Sequence, residues 1–115
     1  MTTIYGIKTC DSVKKTQKWL TENHIDYHFH DFRAAGLSAE KLDEWLAHLD
    51  WQKLINKRST SWRQLTNEQK ATINPDSARQ FMLGNPTLIK RPVIEHQGHY
   101  ALGFNLKQLQ SLFTP

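Results

Sequence analysis

Residues 3–20 of the chain read TIYGIKTCDSVKKTQKWL and decide the fold, because they join a strand to a helix through a short polar turn. β-branched and aromatic residues dominate the first five positions, which is typical of a short strand. From Val13 to Leu20 the apolar side chains recur at helical spacing. We therefore predict the first part of a βαβ unit, with Asp11 or Ser12 capping the helix.

A second strand is predicted after this helix. From Ile25 to Phe32 the chain again alternates, with Ile25, Tyr27 and Phe29 on one side. A βαβ unit of this kind places its two strands in parallel with a right-handed crossover.

Residues 36–85 predict a block of helices. Ser38 is the expected cap of a helix whose apolar stripe is Leu42, Trp45, Leu46 and Leu49. The segment Thr66–Gln69 has the spacing of a capping box. Asn74 precedes a proline and starts a further helix, which ends near Gly84.

The C-terminal part of the chain predicts a β-hairpin followed by a helix. Residues 88–96 and 99–104 are strand-like on either side of a Gln97-Gly98 turn, and Arg91-Pro92 interrupts the first of them. Asn105 is expected to cap a final helix whose apolar residues are Leu106, Leu109, Leu112 and Phe113.

The order of these elements predicts an α/β protein with a thioredoxin-like mixed sheet. The N-terminal βαβ half and the C-terminal ββα half supply the strands, and a helical insertion at about 36–85 separates them within a single domain of residues 1–115. Pro92 opens the third strand, where this fold can hold a cis peptide bond.

The composition is that of an ordinary globular protein. Of 115 residues, 38% are hydrophobic, and 15 Lys and Arg against 11 Asp and Glu give a formal charge of +4. That excess is too small and too dispersed to predict nucleic-acid binding. No apolar run approaches the ~20 residues of a membrane span, and no export signal precedes the first strand. We expect a monomeric cytoplasmic protein that binds neither nucleic acid nor membrane.

Cys10 is the only cysteine and lies between the first strand and the first helix. A single cysteine excludes an intramolecular disulfide and a four-cysteine zinc site. The alternative to a chemical role is a small buried side chain, the common fate of a free cysteine. A thiol at a helix N-terminus, however, faces unpaired N–H groups and the positive end of the helix dipole, which favour the thiolate. We predict a reactive thiol whose second sulfur comes from glutathione or another protein.

The histidines do not complete a metal site. His28 and His30 share a strand face, and His96 and His99 flank the hairpin turn, so each place offers only two ligands. No carboxylate pattern supplies the others that a zinc site needs. We expect no metal and no bound cofactor.

Three blocks of sequence resemble the ArsC/Spx family, namely Tyr5–Lys15, Arg91–Ile94 and Gly103–Asn105. They occur in the family's order and spacing, and the resemblance covers essentially the whole chain. It is strongest to the YffB-type branch of single-cysteine proteins. The resemblance implies a thioredoxin-like fold, Cys10 as nucleophile, and a thiol reductase that uses glutathione as co-substrate.

The resemblance also implies which residues surround the thiol. The pocket positions that it marks are Lys8, Thr9, Asp11, Ser12 and Pro92. Arg91, ahead of a cis proline, and Arg58 are expected to hold an anionic group. The expected partners are glutathione, an oxidised thiol or oxyanion substrate, and a glutaredoxin.

Two alternative functions remain open on the same fold. Arsenate reductases of the family hold the oxyanion with three arginines. Arg91 matches one of them, and Arg58 falls close to the second, although an ungapped match places Asn56 there. Gly103 stands at the third position. Spx-type regulators typically carry a two-cysteine switch, which this chain lacks. The alternatives are therefore an arsenate reductase and a non-enzymatic regulatory or binding module.

Overall fold

The computed structural model describes residues 2–113 of the chain. The strands within these residues are β1 (Thr2–Gly6), β2 (His28–Asp31), β3 (Val93–His96) and β4 (His99–Leu102). The helices are α1 (Asp11–Glu22), α2 (Phe32–Ala35), α3 (Ala39–His48), α4 (Trp51–Leu54), α5 (Thr60–Arg63), α6 (Asn67–Ala71), α7 (Pro75–Gly84) and α8 (Leu106–Phe113), with a 3-10 helix at Pro86–Leu88.

The strands form a mixed sheet in the order β2-β1-β3-β4. β1 runs parallel to β2 and pairs Tyr5 with His30, while it runs antiparallel to β3 and pairs Tyr5 with Val93. β3 and β4 form the closing hairpin, whose turn residues Gln97 and Gly98 both have positive φ, as two-residue hairpin turns require. The predicted α/β thioredoxin-like sheet is confirmed.

Residues 2–36 and 91–113 form one compact unit. Ile4 and Ile94 are register partners in neighbouring strands and so face the same side of the sheet. Leu20 of α1 and Leu109 of α8 pack onto them, and these side chains are at most 1% exposed. Burying each of them stabilises the fold by about 1.5–3 kcal/mol. This core holds α1 and α8 against one face of the sheet.

Residues 37–90 form a second compact unit, which is largely helical. Leu42 and Trp45 of α3 and Met82 of α7 are fully buried, which confirms the centre of the predicted apolar stripe. Asp43 of α3 accepts two hydrogen bonds from the guanidinium of Arg79 in α7, at 2.6 and 3.1 Å. This ion pair spans the exposed side of the contact between the two helices.

Side-chain caps start several of these helices as predicted. Ser38 Oγ accepts an amide N–H from the first turn of α3 at 3.1 Å. Thr66 and Gln69 form a capping box at α6, and Asn74 and Ser77 form another at α7. Each such cap satisfies amide groups that a helix leaves without intrahelical partners.

The predicted cap of α1 is wrong. Cys10, rather than Asp11 or Ser12, occupies the N-cap, with extended backbone angles of φ −76° and ψ 126°. The turn closes at Cys10 because its N–H donates to the carbonyl of Ile7 at 3.0 Å. The helix therefore begins directly after the cysteine, with Asp11 as its first residue.

The second strand is shorter than predicted. It ends at Asp31, whose side chain accepts the N–H groups of Arg33 and Ala34 and so starts α2. This one-turn helix was not predicted from the sequence. Phe32, expected at the end of the strand, is instead buried in the first turn of α2.

The C-terminal strands and helix also differ in detail from the prediction. A 3-10 helix at Pro86–Leu88 replaces the start of the strand expected over 88–96, and β3 begins only at Val93, because Pro92 has no N–H to give to a ladder. β4 ends at Leu102, short of the expected 104. Leu106, expected on the apolar face of α8, is 51% exposed.

Gly6 allows α1 to lie unusually close to β1. A Cβ at this position would stand 2.5 Å from Cγ2 of Val13, well inside van der Waals contact. Val13 is fully buried, so its side chain has no solvent-filled space to move into. The helix that follows Cys10 can therefore pack in this position only against a residue without a side chain.

We expect Gly6→Ala to lower the free energy of unfolding by about 1–3 kcal/mol, because the added methyl group overpacks a closed contact. Urea denaturation measures this change. Gly84→Ala is the matched control, since a Cβ there meets nothing within 4 Å. Adding Val13→Ala to Gly6→Ala should restore part of the loss, whereas a Gly6→Ala protein as stable as the parent would contradict the packing argument.

Candidate active site

The turn that contains Cys10 and the Arg91-Pro92 segment both adjoin the same end of the sheet. Gly6 at the end of β1 pairs with Asp31 at the end of β2, and Tyr5 pairs with Val93 at the start of β3. Val93 in turn pairs with Leu102 at the end of β4. We call this the Cys10 end of the sheet. The register therefore brings the turn that contains Cys10 and the Arg91-Pro92 segment to one side of the molecule.

Cys10 is held by its main chain. Its N–H donates to the carbonyl of Ile7, and its carbonyl accepts the N–H of Lys14, each at 3.0 Å. The thiol is half-buried and makes no capping hydrogen bond to α1. A sulfur at an N-cap lies at the positive end of the helix dipole.

The other predicted pocket residues flank the cysteine along the chain. Lys8 and Thr9 are exposed in the turn before it, and Asp11 is exposed in the first turn of α1. Ser12 is half-buried, and its carbonyl accepts a hydrogen bond from Thr16 Oγ1 at 2.8 Å. Their contribution to a thiolate pocket stays a prediction.

Asp31 supports the turn before the cysteine, a role that was not predicted from the sequence. One carboxylate oxygen accepts the N–H of Lys8 at 3.3 Å, and the other accepts the N–H of Arg33 at 2.7 Å and of Ala34 at 3.4 Å. The carboxylate thus ties the turn after β1 to the end of β2. The signal that could have revealed it is an aspartate at the end of a predicted strand, where it can cap a following helix.

Burial raises the pKa of Asp31, but hydrogen bonds from the N–H groups of Arg33, Lys8 and Ala34, with the charge of Lys8, outweigh it. The pKa of this carboxyl therefore lies below its ordinary value. Asp31 is a stable anion at the Cys10 end of the sheet.

Arg91 and Pro92 lie directly before β3. The peptide bond between them is cis, as the family resemblance implied. Pro92 is buried, and its carbonyl accepts the N–H of Gly103 at 2.9 Å, which fixes the end of β4 beside it. Arg91 is half-buried. Its Nε atom is fully buried, so the part of the guanidinium next to the aliphatic side chain is enclosed by protein.

Arg58 belongs to the second compact unit. It is exposed in a turn before α5, where its N–H donates to Asn56 Oδ1 at 3.0 Å. Asn56 also accepts a hydrogen bond from Ser59 Oγ through its carbonyl, at 2.7 Å. The main chain at Arg58 is therefore well supported, and its role at the thiol stays a prediction.

Residues 2–113 contain no cluster of three or more histidine, cysteine, aspartate or glutamate side chains placed to hold a metal ion. None of the helices in this range has the length and apolar character needed to cross a membrane.

Comparison with known proteins places this arrangement in a family. The model of the ArsC family matches residues 5–112. An uncharacterized protein of Haemophilus influenzae is 43% identical over 114 residues, which cover 99% of this chain and all of that protein.

Solved structures of similar proteins also superpose on this chain over nearly its whole length. The structure of a YffB protein is 38% identical and superposes with a TM-score of 0.93, covering 99% of this chain and 100% of that one. An arsenate reductase (ArsC) related protein from Brucella melitensis is 41% identical with a TM-score of 0.80, covering 99% and 95% of the two chains.

We expect Asp31→Asn to remove a charge that stabilises the folded protein only while it is ionised. Because the folded-state pKa is depressed, this stabilisation is complete above the unfolded-state pKa of about 3.9 and is lost as the pH falls through the folded-state value. The parent should therefore be more stable than the variant at neutral pH, and the difference should shrink as the pH falls below about 3.9.

Urea denaturation between neutral and acid pH measures this difference. Asp26→Asn, which changes an exposed carboxylate in the same compact unit, is the control. A stability difference that stays constant over the whole pH range would contradict the assigned role of the Asp31 charge.

Proposed function

The chain belongs to the ArsC family, and from this membership we propose that it is a glutathione-dependent thiol–disulfide oxidoreductase with Cys10 as its nucleophile. The observation that carries the proposal is the position of the sole cysteine, half-buried at the N-cap of α1 and at the same end of the sheet as Arg91. A single thiol cannot resolve its own mixed disulfide, so the second thiol has to come from another molecule.

The proposed reaction has two exchange steps. The Cys10 thiolate attacks one sulfur of a disulfide R–S–S–R′, forms Cys10–S–S–R and expels R′S⁻, which takes a proton from solvent. A glutathione thiolate then attacks the R sulfur of the mixed disulfide, releases the Cys10 thiolate and forms G–S–S–R. The R′ sulfur is reduced and the glutathione sulfur is oxidised, so electrons balance. The reduced glutathione pool of the cytoplasm suits this cycle.

The positive end of the α1 dipole and the guanidinium of Arg91 favour an anionic reaction partner at the Cys10 end of the sheet. The dipole of α1 stabilises the thiolate in both the resting and the leaving state. Arg91 offers a planar guanidinium, whose fork of donors fits a carboxylate such as those of glutathione. We propose that Arg91 orients glutathione, with Arg58 as the second candidate arginine.

We expect the parent protein to form one mixed disulfide with oxidised glutathione, because Cys10 is the sole acceptor thiol. Intact-mass analysis measures one added glutathionyl group, and reduced glutathione should remove it. Cys10→Ser should form no adduct and should lose turnover of a small disulfide substrate in a glutathione-coupled assay.

Three results would overturn or redirect the proposal. A slowly alkylated thiol that forms no glutathione adduct would exclude the reductase function. Turnover of arsenate in the same coupled assay, with none of small disulfides, would favour an arsenate reductase. Stable capture of a partner protein that survives Cys10→Ser, without any turnover, would favour a regulatory module.

We expect Arg91→Gln to raise the glutathione concentration needed for half-maximal rate by about tenfold, since one charge-assisted hydrogen bond is lost. Arg91→Lys should recover only part of the loss, because lysine keeps the charge but not the fork of donors. Steady-state kinetics against glutathione measure both, and Lys18→Gln, an exposed lysine of α1, is the control. A kinetic profile for Arg91→Gln equal to that of the parent would remove Arg91 from the site.

A further inference from the structure

Trp62, in the second compact unit, gathers two lysines around its indole ring. The Nζ atom of Lys57 lies 5.7 Å from the ring centroid, and the Nζ atom of Lys70 lies 5.9 Å from it. Both distances are within the range of a cation–π contact. Lys57 precedes α5, Trp62 is part of α5, and Lys70 belongs to α6. The fold therefore brings two positive charges to one aromatic side chain, and we call these three residues the Trp62 cluster.

No acid neutralises the two ammonium groups of the cluster within the described part of the chain. Among residues 2–113, neither Lys57 nor Lys70 forms an ion pair with a carboxylate. The sequence contains no aspartate or glutamate between Asp50 and Glu68. Glu68 lies two positions before Lys70 on α6, and side chains two positions apart on a helix do not face each other. The Trp62 cluster is therefore a local excess of positive charge.

Several acids of the same compact unit are engaged in other contacts. Asp43 accepts a hydrogen bond from Arg79 at 2.6 Å, and a carboxylate oxygen of Glu44 lies 3.3 Å from Nζ of Lys41. The carboxylate of Asp50 caps α4. The cations of α3 and α7 are thus paired within the chain, whereas the lysines of the Trp62 cluster are available to an acid of another molecule.

Hydrogen bonds fix the main chain that carries the cluster. The N–H of Trp62 donates to Ser59 Oγ at 3.1 Å, which caps α5. The N–H of Lys70 donates to the carbonyl of Thr66 at 3.0 Å, in a helix that starts with a capping box. The side chains of Trp62 and Lys70 are also half-buried. A ligand of the cluster therefore has little backbone to order, which lowers the entropy cost of binding.

We propose that the Trp62 cluster docks an extended acidic segment of a partner protein. In an extended segment, side chains two positions apart point to the same side and are separated by about 7 Å. An acid, an apolar residue and a second acid at alternate positions then place the apolar side chain on the indole and one carboxylate at each ammonium group. Tryptophan is enriched among the residues that dominate the binding energy of protein interfaces. Docking here uses no thiol and is independent of the proposed reductase function.

A single-stranded nucleic acid fits the cluster less well than an acidic segment does. Such strands stack their bases on the faces of aromatic side chains, whereas two ammonium groups already engage the ring of Trp62. A base has to displace these groups, while a carboxylate binds them where they are. The formal charge of the whole chain, +4, is also small for a nucleic-acid surface.

The test is the fluorescence anisotropy of a labelled peptide titrated with the full chain. The peptide consists of glycine, two glutamates, leucine, two glutamates and glycine, so that an acid lies two positions from the leucine on each side. We expect saturable binding that weakens as the salt concentration rises, because salt screens exposed charges. The same peptide with glutamine in place of each glutamate should not bind, and labelled oligothymidine should bind more weakly than the acidic peptide.

Variants separate docking at the cluster from a general effect of charge. Lys57→Gln and Lys70→Gln should each weaken peptide binding by about tenfold, since each removes one charge-assisted hydrogen bond. Lys53→Gln is the matched control, because it removes the same charge from an exposed lysine of α4. The chain has four tryptophans, and the peptide should shift the indole N–H signal of Trp62, which is the NMR signal that Trp62→Phe removes.

Three results would overturn docking of an acidic segment: no saturable binding of the peptide, equal losses in Lys53→Gln and Lys57→Gln, or tighter binding of oligothymidine. Lys57 and Lys53 are both exposed, so the decisive comparison does not depend on whether the Trp62 variant folds. Cys10→Ser should bind the peptide as tightly as the parent does. Failure of peptide binding and failure of the thiol chemistry are therefore observed separately.

Discussion

The close approach of α1 to β1 at Gly6 is the constraint on which the rest of the structure depends. With no side chain at position 6, Val13 packs directly against the strand. The connection between the two elements must then be short, and it closes through the hydrogen bond from Cys10 N–H to the Ile7 carbonyl. The cysteine becomes the N-cap because the turn closes at its N–H and the helix begins at the next residue.

Hydrogen bonds donated by main-chain N–H groups position the Cys10 end of the sheet. The Asp31 carboxylate receives the N–H of Lys8, and the Pro92 carbonyl receives the N–H of Gly103. These contacts hold the turn after β1 and the ends of β2, β3 and β4 in place while leaving the thiol without a capping bond. A nucleophile benefits from this arrangement, because a fixed backbone orients the sulfur and an uncommitted sulfur can react.

Local patterns in the sequence predicted the fold well, since periodicity and capping residues are local properties. The mixed sheet with its closing hairpin, the stripe of Leu42 and Trp45, and the capping box at Thr66 all followed from such patterns. The role of Asp31 did not, because it depends on a hydrogen bond to Lys8, far away in the chain. The N-cap of α1 was misplaced for a related reason: packing of Gly6 against Val13 decides where the turn closes, and no local preference encodes that contact.

Cys10 breaks a local rule that several other helix starts in the chain obey, and it lies at the proposed site. Ser38, Thr66 and Asn74 cap their helices with side-chain oxygens, whereas Cys10 caps α1 with none. A missing cap costs about 1 kcal/mol. Selection for stability alone would place Ser or Asp at position 10. Local preferences that are given up without an evident structural gain occur mainly where a protein's function requires them. The cysteine at position 10 is therefore better explained by a chemical role than by folding.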